Sequence, residues 1–414
     1  NVGEPFSLAY LDQLKKYNDE GKLPLVEVDP STGKYVYYGS SDWQKELYAD
    51  YNPSTEHNLT ISGGDKKFDY LVSGRYYAQK GIYRHSPDNF NQYNFRAKAS
   101  LQVLKWLKVK NNFSLDRKSY FFPTSSNEFP LANAVQRFRN TGLTIVRIIG
   151  DQFPPTATLQ NPDGTYTFDA ANSMQSFLVG GSFENTLSEE YRNTFGIESK
   201  FLNDRLKING DVSFVSSPEI INAQRTPVVY SDQPDVFKTR NPEIDWASQD
   251  NIRNNYLGAN ISAHYEQRLN KHFFKALIGF NYEKTERRLL SFKRYGLINS
   301  SLPDPSLITG DNVTLTGGGY QWTTAGEFFR INYNYDEKYL LEINGRYDGS
   351  SKFPINSQFG FFPSVSGGWR VSRENFWRVS KGFISDFKVR ASYGSLGNGN
   401  VNPYLFLETL PVSM

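Results

Sequence analysis

The chain has 414 residues, 38% hydrophobic and 15% aromatic, with 27 Tyr and 31 Phe against 2 Met. That is little apolar material for globular cores, but it suits strands with one apolar face and aromatics at a membrane interface. Zero cysteine excludes thiolate metal sites, cysteine nucleophiles and disulfides, and 46 basic against 43 acidic residues without a polybasic block implies no nucleic-acid partner.

The first predicted element is a short amphipathic helix at 6–17, where Leu8, Leu11 and Leu14 recur at helical spacing. Period-two alternation then predicts strands at 57–63, 67–81, 90–103, 107–119, 188–201 and 205–217. Six more follow at 252–268, 272–287, 320–335, 339–351, 360–373 and 385–395. Between them, 130–139 reads as a helix opened by Pro130 and closed by Gly142, and Asn161-Pro162-Asp163-Gly164 reads as a turn. No run approaches the roughly 18 apolar residues of a transmembrane helix, so a membrane crossing falls to strands.

Alternation is clearest in KYLLEINGRYD at 338–348, where Tyr339, Leu341, Ile343 and Tyr347 oppose Leu340, Glu342, Asn344, Arg346 and Asp348. Most predicted strands exceed ten residues, which favours tilted membrane strands over a sandwich. Asn111 and Glu327 break the pattern by falling on the apolar parity, and a bulge at Gly326 would turn Glu327 inward.

Connections alternate between tight turns at 64–66, 104–106, 202–204, 269–271 and 336–338 and long segments, until 374–384, which is longer than a tight turn. Outer-membrane barrels have short periplasmic turns and long outward loops. The expected fold is therefore all-β, a transmembrane antiparallel β-barrel with about a dozen strands in this chain. Residues 1–56 form an extracellular loop after a strand that precedes the chain, and 57–414 form part of the barrel, with large loops near 120–187, 218–251 and 288–319. By the same count the strand pattern is open at both ends, and the chain is expected to be an internal portion of a longer, exported protein.

Aromatics gather at the expected periplasmic rim, with Phe68, Trp106, Tyr335, Tyr339, Trp369 and Trp377 as its girdle. The polar parity gives the lumen wall a charged character through Arg75, Arg96, Glu342, Arg346, Asp348 and Arg390, either as a structural charge network facing a plug or as substrate contacts. Tyr320, Trp322, Phe361 and Phe362 are candidates for stacking on sugar rings or peptide side chains. Four scattered histidines, and no HExxH, GxSxG or P-loop pattern, indicate no catalytic site and no metal site. Glu189 and Glu190 are adjacent and so fall on opposite faces of a strand, poorly placed for acid–base work. Residues 311–319 and 394–400 carry Asp and Gly and could ligate calcium in a loop, but lack EF-hand spacing, and no cofactor is indicated.

HNLTISGGDKKFDYLVSGRYYAQKGIYR from His57 and YNFRAKASLQVLKWLKVKNNFSL from Tyr93 resemble the start of the barrel in SusC/RagA-like TonB-dependent transporters. So do YLLEINGRYDGSSKFPINSQFGFFPSVSGGWRVSRENFW from Tyr339 and DFKVRASYGSLGNGN from Asp386. The resemblance implies a bacterial outer-membrane importer of the Bacteroidetes type, a plugged barrel of about 22 strands. It further implies a SusD-like surface lipoprotein partner, energy from the TonB complex through a region outside this chain, and an oligosaccharide or peptide substrate. The alternatives are a passive porin or adhesin barrel, which shares every strand argument, and a soluble carbohydrate-binding or hydrolytic β protein.

Overall fold

The computed structural model describes residues 8–23, 25–39, 41–85, 88–123, 158–173, 181–240, 242, 245–298, 307–378 and 383–407. The expected helix at 130–139 lies outside them. The chain opens with α1 (Leu8–Asp19), a hairpin of β1 (Val26–Val28) and β2 (Tyr35–Tyr37), and α2 (Trp43–Leu47). Four long strands follow: β3 (Ser54–Gly64), β4 (Phe68–Lys80), β5 (Asn89–Leu104) and β6 (Leu107–Pro123). After α3 (Phe168–Ser173) come β7 (Phe183–Phe201) and β8 (Leu206–Arg225), then a small hairpin of β9 (Val228–Gln233) and β10 (Val236–Arg240). The last six are β11 (Trp246–Leu269), β12 (His272–Tyr295), β13 (Val313–Tyr335), β14 (Tyr339–Ser350), β15 (Phe359–Arg370) and β16 (Lys388–Gly394).

All the long strands join one antiparallel sheet of 12 strands, each beside its neighbour in sequence, with β8 pairing directly to β11 across the small hairpin. This up-and-down order follows from tight turns with the right chemistry. Asp336 and Glu337, the central pair of a β-turn closed by the Lys338 N–H on Tyr335 O (2.9 Å), both adopt positive φ (52° and 55°), and Asn203, Asp204 and Asn270 do the same in their turns. In the first turn the Asp65 carboxylate accepts the backbone N–H groups of Lys67 (2.7 Å) and Phe68 (2.8 Å).

The register shows that the sheet is tilted like a barrel wall. Starting at Leu107, the first residue of β6, directly paired positions run through Ser199, Ile208 and Ala263 to Ile278. Ile278 lies six residues beyond His272, the first residue of β12. A stagger of about 20 Å over four strand spacings, about 19 Å, gives a tilt of roughly 45°. Transmembrane barrels tilt their strands by about that angle.

One face of this sheet carries large apolar side chains that are left exposed: Ile61, Phe95, Phe214, Ile261, Ile278 and Ile331 among them. Ile278 is 65% exposed in the middle of a strand, the reverse of a water-soluble core. The opposite face is polar. Aromatics mark both edges of the apolar band. Near the turns lie Phe68, Phe274, Tyr335, Tyr339 and Trp369, and six or more residues further along their strands lie Tyr76, Tyr282 and Tyr347. From Tyr339 to Tyr347 is eight residues, which at this tilt is about 20 Å of height, close to the apolar band of an outer-membrane barrel.

The strands run further than alternation predicts. β8 passes through Pro218 to Arg225, β12 reaches Tyr295 and β13 begins at Val313. Much of 218–251 is therefore strand, as are 288–295 and 313–319 at the two ends of the segment expected as a loop at 288–319. No bulge forms at Gly326. Gly326 pairs with Asp348 and Glu327 with Tyr347 in unbroken register, so Glu327 stays on the apolar face. Asn111 also stays there, where its side-chain amide donates to Asn193 Oδ1 at 2.7 Å, so two polar groups on the apolar face satisfy each other.

Where the strands outrun the apolar band, the connections build a small core of their own. Trp43, Leu47, Tyr83 and Ala170 are buried together, with Tyr48, Phe122, Leu159 and Tyr166 packed around them. Asp42 caps α2 by accepting the Lys45 N–H. The expected turn forms, with Gly164 at φ 85° and its N–H donating to Asn161 O (2.9 Å). Asn161 ties three segments together: Oδ1 accepts from Tyr37 Oη (2.8 Å), and Nδ2 donates to Thr165 Oγ1 (2.9 Å) and Ser231 O (3.0 Å).

Candidate transport wall and mouth

The polar face is organised as local charge pairs rather than one binding constellation. On β4, Arg75 pairs with Glu56 of β3 (3.0 Å), reaches Gln92 and Asn94, and lies over the Tyr77 ring. Arg96 of β5 donates to Asn112 Oδ1 (3.1 Å). Nearer the turns, Lys108 meets Asp69 (3.2 Å) and Lys110 meets Glu198 (2.6 Å), bordering a concave space of about 660 Å³ that Lys98, Asn112 and Asp211 also line. At the other end of the sheet, Arg346 grips Asp348 with two hydrogen bonds (2.9 and 2.7 Å) and covers the Phe328 ring, while Glu342 accepts from Asn344 (2.8 Å). Arg390 stands opposite Gly368 on β16.

All six wall positions proposed from the sequence share the polar face, but the structure does not gather them. Arg75 and Arg96 lie on β4 and β5, whereas Glu342, Arg346 and Asp348 lie on β14, seven strand spacings from β5, or about 34 Å around the sheet. Four of the wall cations, Arg75, Lys108, Lys110 and Arg346, are each offset by a carboxylate partner. Likewise Glu189 and Glu190 take separate faces, pairing with Arg117 (3.5 Å) and Arg192 (3.0 Å). The four aromatics proposed for stacking divide too, since Tyr320, Trp322 and Phe362 fall on the polar face and Phe361 on the apolar one. Among the described residues no group of three or more His, Asp or Glu side chains is placed to hold a metal.

The turn-side rim has a hub that the sequence did not suggest. Glu374, in the connection between β15 and β16, accepts hydrogen bonds from Tyr339 Oη (2.6 Å), Trp369 Nε1 (3.1 Å) and Lys338 Nζ (3.1 Å). The Tyr339 hydroxyl, with Trp369 and Lys338, holds its carboxyl at about 2, well below the ordinary value. Of the girdle, Tyr335 stacks on Tyr339, Trp106 packs on Phe201 and Phe68 on Tyr70. Trp377 lies outside the strands, stacked on Phe387 (5.4 Å between centroids).

At the opposite, long-loop end, the polar face carries an aromatic ladder. Tyr77, Phe90, Tyr120 and Phe122 follow one another at centroid distances of 5.9 to 6.3 Å and lead to Tyr83 of the loop core. A pocket of about 410 Å³ lies elsewhere, on the apolar face over Ala263, Ile278 and Ile331. The ladder borders a smaller one of about 370 Å³, lined by Asn52, Gln79, Asp88, Phe90 and Tyr120. Burial raises the Asp88 carboxyl above its ordinary value, and its Oδ1 accepts no hydrogen bond. The ladder was legible: Tyr77 alternates with Arg75 and Gln79 on the polar parity, a phase that puts an aromatic on the wall.

No family model matches the chain. It is 27% identical over 380 residues to the TonB-dependent receptor P3 of Formosa agariphila, covering 90% of this chain and 35% of that protein. It is 24% identical over 387 residues to the TonB-dependent receptor SusC of Bacteroides thetaiotaomicron, covering 87% and 35%. The chain thus spans about a third of the length of these relatives. In fold it matches the RagAB peptide importer in its open-open state with a TM-score of 0.70 at 19% identity, over 97% of this chain and 43% of that one. These relatives are TonB-dependent receptors and a peptide importer rather than enzymes, and the RagAB chain shares the fold described here. The chain has the fold of a stretch of outer-membrane β-barrel and is similar in sequence to TonB-dependent receptors, SusC among them.

Proposed function

We propose that the protein containing this chain actively imports a large nutrient, an oligosaccharide or a peptide, across the outer membrane. One observation carries this reading: a tilted sheet with an exposed apolar face outward, a charged wall inward and a packed loop core at the end opposite the tight turns, in a chain similar to TonB-dependent receptors. The long-loop side faces outward, with residues 1–56 and the loop core on the extracellular side, and the tight turns face the periplasm. A SusD-like surface lipoprotein covers the loop side, and the TonB complex supplies energy through a part of the protein outside this chain. The charges of the wall, Arg75, Arg96, Glu342, Arg346, Asp348 and Arg390, keep the passage polar and hydrated, and the aromatic ladder offers weak stacking positions on the way in.

The test is uptake by cells carrying the complete protein, with and without TonB and an energised inner membrane. Import should stop when either is removed, and a surface lipoprotein should co-purify. Uptake that continues at the same rate without energy would make the barrel a passive pore.

A further inference from the structure

The outward face beyond the tyrosine edge contains an arrangement that the sheet alone disfavours. Arg253 of β11 and Arg288 of β12 are directly opposite one another in the ladder, on the face that carries Leu257 and Tyr282 lower down. Like charges directly opposite across two strands repel. Lys284 projects from the same face two residues beyond Tyr282. The one carboxylate in the group is Glu286, which takes Arg288 Nε at 2.6 Å, so three cations face one anion. The neighbouring outward positions are uncharged: Ser216 and Pro218 on β8, and Gly319, Gln321 and Thr323 on β13.

Position identifies what relieves this excess. Leu257 is the last outward apolar residue of β11 before the polar rows, and Arg253 lies four residues beyond it. At the strand tilt found above that is about 10 Å over the edge of the apolar band, within the headgroup layer of the outer leaflet. Arginine side chains bend toward such a layer and bind phosphate with two parallel hydrogen bonds. We propose that Lys284, Arg253 and Arg288 form a binding site for the phosphate of a lipid headgroup, the anion lying between the two guanidinium groups.

The site rests on the long loops facing outward, which surface labelling of Asp163→Cys by a membrane-impermeant thiol reagent checks separately. The complete protein, in phosphate-free detergent, is titrated with bisphosphorylated lipid A, with its dephosphorylated counterpart and with inorganic phosphate, and bound lipid is counted by native mass spectrometry. The wild type should bind the phosphorylated lipid at least about tenfold more tightly than Arg253→Gln/Arg288→Gln, and both should bind the dephosphorylated lipid alike. Equal affinity for the phosphorylated lipid overturns the proposal, and so does full displacement by millimolar inorganic phosphate, which would make this a free-anion site. A second measurement needs no ligand. In lipid-free detergent Arg253→Gln should melt above the wild type, because repulsion is relieved, and below it once phosphorylated lipid is present; a variant that melts lower in both overturns the repulsion argument.

Discussion

Leu47 and Ile278 are both aliphatic residues in regular structure, yet Leu47 is 1% exposed and Ile278 is 65% exposed. Leu47 sits in the loop core, which folds as a small water-soluble protein does, by hiding Trp43, Leu47 and Tyr83 from solvent. Ile278 sits in the band, where hydrocarbon surrounds it and hiding it would gain nothing. One chain is thus built for two solvents, and the change from one set of rules to the other falls at the row of Tyr76, Tyr282 and Tyr347. The band is held by its hydrogen-bond ladders, since each backbone group in lipid must find a partner in the sheet. The loop region is held by side-chain packing.

Substitutions that suit one solvent and offend the other sharpen this difference. The largest effect is expected in the loop core, where Trp43→Ala should cost about 3 to 5 kcal/mol of local stability. Proteases should then cut near 158–173, while heat-modifiable gel migration, which reports the barrel, stays unchanged. Loss of both together would show that the two regions fold as one unit. In the band, Ile278→Arg should cost about 2 to 4 kcal/mol, read as a lower yield of folded protein in bilayers, with the loop core undisturbed.

A smaller effect is expected at the turn-side rim and depends on pH. Glu374 is held at about 2 by three donors, below the ordinary carboxylate range. Its folded-state value is depressed, so its contribution is fully present above about pH 4.5 and fades as pH falls toward 2. Glu374→Gln should therefore melt lower than the wild type at pH 6, and the gap should narrow by pH 3 and close only near pH 2. A gap that is unchanged between those values would assign the loss to packing of Trp369 and Tyr339 instead of charge.

Much of the band was readable in the sequence because one rule governs it. In lipid and water a strand residue has only two environments, so a period of two in KYLLEINGRYD places each side chain. The loop core was not readable that way. It joins residues 43, 83 and 170 with no shared period, and its ties, such as Asn161 to Tyr37 and Ser231, cross 124 and 70 residues. The extra length of β11 and β12 was missed for a related reason. Above the membrane both faces meet water or loops, so alternation fades at Lys284, Glu286 and Arg288 although hydrogen bonding continues. Glu374 escaped notice because an isolated glutamate between strands carries no pattern, and only the fold brings Tyr339, Trp369 and Lys338 to it.

Glu327 gives the finest test of where the change of solvent lies. It faces outward between Phe280 and Tyr347, with no bulge to turn it in. An ionised carboxylate in the middle of the band would be costly, but near the interface the penalty for charge falls to about 1 kcal/mol or less. Its pairing with Tyr347 places it at the edge, where the carboxylate can reach the headgroup layer. Glu327→Leu should therefore change stability in bilayers by no more than about 1 kcal/mol. Ile331→Glu, four residues nearer the turns and about 10 Å deeper, should cost clearly more. If the two substitutions had equal and opposite effects, the tyrosine row would not be the boundary, and the apolar band would extend above Glu327.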